Sequence, residues 1–175
     1  MSSPLHIVAL GTGDAFSAAR YSASLLVGYE GRWLLIDCPH PIRKMLREAT
    51  GRGGVSPVDI GDLEGCVLTH LHADHASGVE GLGFFGRFAL GRRIDLYAHQ
   101  EVVRDLWLGH LAAGMGTLLS DDGPKDTHLD DFFAIGLLDE DAPITIGPFT
   151  VRCRRTFHHV PTFALRVEAG GRSLG

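Results

Sequence analysis

The densest chemistry in this chain lies in Thr69-His70-Leu71-His72-Ala73-Asp74-His75, an HxHxDH pattern. Three imidazoles and a carboxylate within six positions form a donor set for a divalent metal that requires no thiolate, and Zn²⁺, Mn²⁺ or Fe would accept it. His70 and His72 stand two apart just after an apolar run. On extended backbone their side chains point the same way, as two ligands of one ion must. Asp74 and His75 are adjacent and project in different directions, which suits a second metal beside the first. A string of polar residues in a surface loop is the competing reading. Its composition, at a junction between strand and helix signals, favours the metal.

The elements that must position this motif follow from pattern. Residues 5–10 are a short apolar strand ending at the turn Gly11-Thr12-Gly13. Residues 24–29 and 32–36 flank Glu30-Gly31 as a tight hairpin. Residues 41–49 begin with Pro41 and stop near Gly51, a short helix followed by a Gly-rich loop over 51–57. Residues 65–69 are a continuous apolar strand that delivers His70. Helices are predicted over 78–90 and 100–113, with a strand at 94–98 between them. Strands are predicted at 132–137, 144–146, 149–156 and 162–168, and Gly170-Gly171 turns the chain into a further strand over 172–175.

Length and composition set the frame. At 175 residues, 45% hydrophobic and 21% charged, the sequence is an ordinary single globular domain spanning 1–175. A chain of this size buries roughly 70% of its unfolded surface without disulfides or other staples. No apolar run approaches a membrane span and no signal peptide opens the chain, so a cytoplasmic protein with no membrane partner is expected. The net charge of −5 is local: residues 121–141 hold eight acids against Lys125 alone, and the remainder is slightly basic. That distribution argues against a dedicated nucleic-acid surface. Cys38, Cys66 and Cys153 are odd in number, far apart and set among apolar residues, and read as buried free thiols.

Other candidates carry less. Gly11-Thr12-Gly13 lacks the third glycine and the Lys-Ser/Thr of a phosphate loop. His6, His99, His110 and His128 have no ligand spacing, while His40 between two prolines is as compatible with a plain loop as with substrate contact. Phe84, Phe85 and Phe88 read as core or pocket wall, and Phe132-Phe133 as ordinary core. The acidic stretch lacks the order of a calcium loop and reads as a solvated loop face. Alternation along a strand would leave only some of Arg152, Arg154 and Arg155 facing His158, so a solvated outer face is preferred.

Taken together, these motifs resemble the metallo-β-lactamase superfamily. Gly11-Thr12-Gly13-Asp14-Ala15-Phe16 resembles the opening of its ribonuclease Z-like branch, and Leu34-Leu35-Ile36-Asp37 resembles the strand ending in the superfamily's first conserved Asp. His158-His159-Val160-Pro161, with the strand after it, resembles the third motif. The resemblance implies an α/β fold, an αββα sandwich, and two zinc ions in a complete site, with Mn or Fe as alternatives. It implies that His70, His72 and His158 (rather than His159) hold one metal and that Asp74 and His75 belong to the other. Asp37 would orient the histidine loop, and Asp74 would also handle the catalytic proton. A metal-activated water would attack an electrophilic phosphorus or carbonyl.

Two departures qualify the resemblance. The substrate loop carries Arg20 alone, which weakens tRNA maturation as the task. The chain also ends at Ser173-Leu174-Gly175, where the resemblance places an Asp bridging both metals and, later, a final His. A truncated piece, a cleavage product or one half of a split molecule is therefore expected, binding at most one metal well and hydrolysing little by itself. Its open sheet edge would be covered by further chain, a complementing fragment or a homodimer partner. Three functions follow: a phosphodiesterase on a small-molecule or nucleic-acid substrate, a hydrolase of the same fold acting on a thioester, lactone or lactam, and a non-catalytic binding module.

Overall fold

The computed structural model describes residues 3–51 and 56–175. The chain opens with three antiparallel strands, β1 (His6–Gly11), β2 (Ser24–Tyr29) and β3 (Arg32–Ile36), and the β2–β3 hairpin turns at Glu30-Gly31 with both residues at positive φ. Helix α1 (Ile42–Thr50) buries Ile42, Met45 and Leu46, the one-face spacing of an amphipathic helix. The predicted loop over 51–57 lies partly outside the described residues. Strand β4 (Leu63–Val67) then pairs parallel to β3, and α2 (Ala73–Ala76) and α3 (Val79–Phe84) follow, with a wider π-type turn over Phe85–Leu90.

Strand β5 (Ile94–His99) and α4 (Gln100–Leu106) come next, then a second π-type stretch, Trp107–Leu111, and α5 (Ala112–Met115). A separate hairpin, β6 (Thr117–Ser120) with β7 (Gly123–Asp126), precedes β8 (Phe133–Leu138). This hairpin corrects the expectation of a plain loop in the acidic stretch. Gly123 at φ 107° supplies the turn, and the hairpin's acids, Asp121, Asp122 and Asp126, are all exposed. Strands β9 (Ile144–Ile146), β10 (Phe149–Arg155), β11 (Phe163–Ala169) and β12 (Arg172–Leu174) close the chain.

Two sheets result. The first has order β1-β2-β3-β4-β5-β8 and the second β12-β11-β10-β9. Leu34, Leu35 and Ile36 of β3 are all buried, as are Cys66 and Val67 of β4, because these central strands are covered on both faces. In the second sheet burial alternates: Phe149, Val151, Cys153, Phe163 and Val167 join one core with the first sheet, while Arg152, Arg154 and Arg166 are exposed. Arg152 and Arg154 thus take the outer face expected of them, whereas Arg155 follows the inward register of β10, its guanidinium paired with Glu101 of α4 and 5.8 Å over the Phe163 ring. Phe132 and Phe133 are fully buried, but Phe88 is 66% exposed rather than core, since it sits in the π-type turn facing out. The three cysteines are free and buried. Among the described residues no helix is long and apolar enough to cross a membrane.

Candidate metal centre

The histidine motif hangs from the end of a parallel strand. After β4, residues 68–72 run without regular structure into α2, whose first residue follows His72 directly. The backbone of β3 stops at Asp37, which adopts φ 59°, a left-handed conformation that Asp tolerates better than most residues. From there Cys38 N–H donates to His75 O and Gly78 N–H donates to Cys38 O, each at 2.7 Å. This strap ties β3 to the ligand-bearing turn. A Cβ at Gly78 would fall 2.6 Å from Pro39 O, so the close approach requires glycine there.

Asp37 then organises two of the imidazoles. Its carboxylate accepts from Thr69 N–H at 2.8 Å, from the Thr69 hydroxyl at 2.8 Å and from His75 Nδ1 at 2.7 Å. A carboxylate only accepts, so Thr69 gives it its one hydroxyl proton, and Thr69 Oγ1 must accept from His70 Nδ1, 2.8 Å away. Both His70 and His75 thereby carry a proton on Nδ1, which leaves Nε2 as the ligand atom of the neutral ring, the arrangement in which a carboxylate behind a histidine prepares it for a metal.

Three ring nitrogens converge. His70 Nε2 lies 3.1 Å from His72 Nδ1, and His158 Nε2 lies 3.3 Å from the same atom. All three ligand atoms fall within 4.8 Å of one another. A tetrahedral ion with zinc–nitrogen bonds of 2.0–2.1 Å needs ligand nitrogens about 3.4 Å apart; the donor set suits zinc, and the His70–His72 and His72–His158 separations match that spacing. His159 Nε2 faces the opposite nitrogen of His72, Nε2, at 3.1 Å. Asp74 Oδ2 and His75 Nε2 stand 3.5 Å apart beside the cluster, close enough to share a second cation.

Electrostatics favour the neutral ligands. Burial pushes His70 down to about 4, and the neighbouring His75, His72 and His158 add to the shift. Burial also lowers His72, helped by His159 and His158. His75 moves the other way, raised chiefly by its hydrogen bond to Asp37. A metal binds the neutral imidazole, so His70 has no proton to release near neutral pH.

The cluster lies in an open cleft of about 740 Å³, with Asp14, Ala15 and Phe16 from the loop after β1 and Thr156, Phe157, Thr162 from the β10–β11 connection in its walls. A smaller, largely apolar cavity of about 270 Å³ reaches Asp37, Thr69 and His75 from between the sheets. The five residues singled out in the sequence, His70, His72, Asp74, His75 and His158, all line the cleft, with His159 beside them. Three other histidines have structural partners: His99 Nδ1 accepts from Glu101 N–H, His110 meets Ala76 O, and His128 caps the turn Leu129–Asp131. The aromatic wall, Phe16 and Phe157, was not marked by any spacing. The signal available was an isolated Phe beside each of two site motifs.

Two facing sheets with a histidine-rich turn at the end of a parallel strand define a metallo-β-lactamase-fold protein. The chain superposes on the metallo-β-lactamase-fold protein YhfI from Bacillus subtilis with a TM-score of 0.73 at 22% identity, covering 97% of this chain and 60% of that one. It superposes on Zn²⁺-bound PqqB from Methylobacterium extorquens with a TM-score of 0.69 at 17% identity, covering 95% and 62%. Within this fold the chain belongs to the Anti-Pycsar protein Apyc1 family, which matches residues 5–171. An Anti-Pycsar protein Apyc1 from Bacillus phage BSP38 is 33% identical over 174 residues, which cover 93% of this chain and 63% of that protein. Another, from Bacillus phage 010DV004, is 37% identical over 137 residues, which cover 77% and 50%. The chain thus spans between half and two thirds of the length of these relatives.

Proposed function

We propose that the protein is a metal-dependent phosphodiesterase that opens the cyclic phosphate of a cyclic nucleotide. Membership of a family named for opposing Pycsar, a cyclic-nucleotide defence, supports the substrate class. The observation that carries the chemistry is the convergence of His70 Nε2, His72 Nδ1 and His158 Nε2 beside Asp74 and His75. The cleft volume is in the range of sites that hold one small ligand, and suits a single nucleotide better than a folded RNA.

His70, His72 and His158 would hold one ion, and Asp74 with His75 would contribute to a second, with zinc the first choice and Mn or Fe compatible. When bound, such ions supply Lewis acidity to a phosphoryl oxygen and acidify a water. The chain does the rest. Asp37 and Thr69 hold the imidazoles in the required tautomers before any ion arrives. Burial keeps His70 neutral. Asp74, with one oxygen 3.5 Å from His75 Nε2, would take the proton of an attacking water and return it to the leaving ribose oxygen.

The test is turnover by the metal-loaded, full-length protein across cyclic nucleotides, a thioester, a lactone and a lactam. Cyclic-nucleotide opening at a rate well above the others is the expected result. Acyl hydrolysis without phosphodiester turnover, or binding of cyclic nucleotide with no turnover by fully metallated protein, would overturn it.

A further inference from the structure

Phe157 is completely exposed and Phe16 is 93% exposed. They are the most exposed of the large apolar side chains in the described structure, and both line the histidine cleft. Neither belongs to the hydrophobic core or packs against it. Burying apolar rings of this size is favourable, so two such rings left in water at one cleft forgo appreciable stability.

Both rings sit on loops whose backbones are tied down. Phe16 N–H donates to Asp14 Oδ1 at 3.0 Å, and Ser17 N–H donates to Asp14 O at 3.2 Å. Behind that turn, Gly13 N–H donates to Tyr21 O at 2.8 Å. Phe157 lies between Thr156, whose N–H donates to Thr162 O at 2.9 Å, and His158, whose Nε2 is part of the ligand cluster. Its Cα is therefore one residue, about 3.8 Å, from that of a metal-ligand candidate. A flat apolar group attached to a phosphate held at the cluster would lie within reach of the Phe157 ring.

Resting on the phosphodiesterase reading above, we infer that Phe16 and Phe157 form the nucleobase platform of the site, stacking on the base while its cyclic phosphate sits at the histidine end. Stacking explains why the rings are aromatic, exposed and anchored. It tolerates different bases, because every base presents a π face. Discrimination between bases would then come from other groups. The acidic hairpin β6–β7 contributes no residue to the cleft lining and takes no part in this recognition.

The experiment compares full-length wild type with Phe16→Ala, Phe157→Ala and Phe157→Trp, on a cyclic nucleotide and on abasic ribose 3′,5′-cyclic phosphate. Loss of stacking worth about 1–3 kcal/mol corresponds to a rise in KM of about 5- to 150-fold for the alanine variants. Little change in kcat is expected. The advantage of the nucleotide over the abasic ester should shrink by the same factor, and the Phe157→Trp variant should retain it. In parallel, proton NMR of the nucleotide with metal-free protein should show upfield ring-current shifts of the base protons, lost in the double alanine variant.

An unchanged preference for the base, or an equal loss on both esters, overturns the platform. Failure of wild type to open any cyclic nucleotide defeats the phosphodiesterase reading instead. The base-proton shifts then still decide whether these rings bind a base, and their absence in wild type would sink the inference.

Discussion

The carboxylate of Asp37 and the imidazole of His75 meet at 2.7 Å, Oδ2 to Nδ1, across the gap between the end of β3 and the turn after β4. Asp37 reaches this position only by taking a left-handed backbone conformation, a local cost offset by three hydrogen bonds to one buried carboxylate. One residue thereby sets the tautomer of His75 directly and that of His70 through Thr69.

Asp37→Asn tests this arrangement with little change in volume. The amide keeps one acceptor oxygen and gains a donor, so at least one of the Thr69 and His75 donors must face an N–H group. Zinc affinity should fall by about 10- to 100-fold, and stability by about 1–3 kcal/mol. Competition with a chromophoric chelator measures the first and thermal unfolding the second. Unaltered zinc affinity would show that the histidines need no help from Asp37.

His158 and His159 offer a sharper choice. Both meet His72, but on opposite ring nitrogens, and only His158 faces the atom that also meets His70. His158→Ala should lose the ion held by the three histidines, read as metal content per chain by plasma emission after exhaustive dialysis. His159→Ala should retain it. The reverse pattern would move the third ligand by one residue.

What could be read from the sequence, and what could not, divides along the range of the physical signal. The HxHxDH motif and Leu34–Asp37 are local patterns whose chemistry needs few neighbours, and the fold brings their side chains together. The parallel strands were visible because burial on both faces leaves continuous apolar runs. The hairpin at 117–126 was obscured by its acids, which reflect exposure on both sides of a two-stranded ribbon rather than absence of pairing. Phe88 carries helical spacing from Phe84 yet faces solvent, because the π-type turn from Phe85 onward rotates it away. The exposure of Phe16 and Phe157 depends on what the tertiary fold leaves uncovered, which no periodicity encodes.

The loop bearing Phe16 depends on Gly11 in a way that predicts contrasting outcomes for two glycines. A Cβ on Gly11 would lie 2.0 Å from Ser22 O and 2.6 Å from Tyr21 O, both backbone atoms. Gly11→Ala should therefore destabilise by about 1–3 kcal/mol, lowering Tm by roughly 2–12 °C for a chain of this size. A Cβ on Gly81, inside α3, would meet nothing within 4 Å. Gly81→Ala should stabilise by about 0.5–1 kcal/mol through helix propensity alone. Thermal unfolding of the pair decides, and equal effects would refute the steric argument.

Acid should destabilise the metal-free protein through His70. Its folded pKa is about 4, against about 6.5 for an unfolded histidine. Between those values the unfolded chain binds a proton that the folded chain refuses, so stability falls as pH drops from about 6.5 to about 4 and this group contributes no further loss below that. The gap corresponds to about 3 kcal/mol. His72, lowered by burial, adds in the same direction. His75 opposes both: raised by Asp37, it contributes stability fully present below its unfolded pKa and lost as pH rises through its folded one. From His70 alone, chelator-treated protein should lose about 5–10 °C in Tm between pH 7 and pH 4.5, and His70→Asn should flatten that fall. A His70→Asn variant with the same pH slope as wild type would show that this imidazole is not held neutral by the fold.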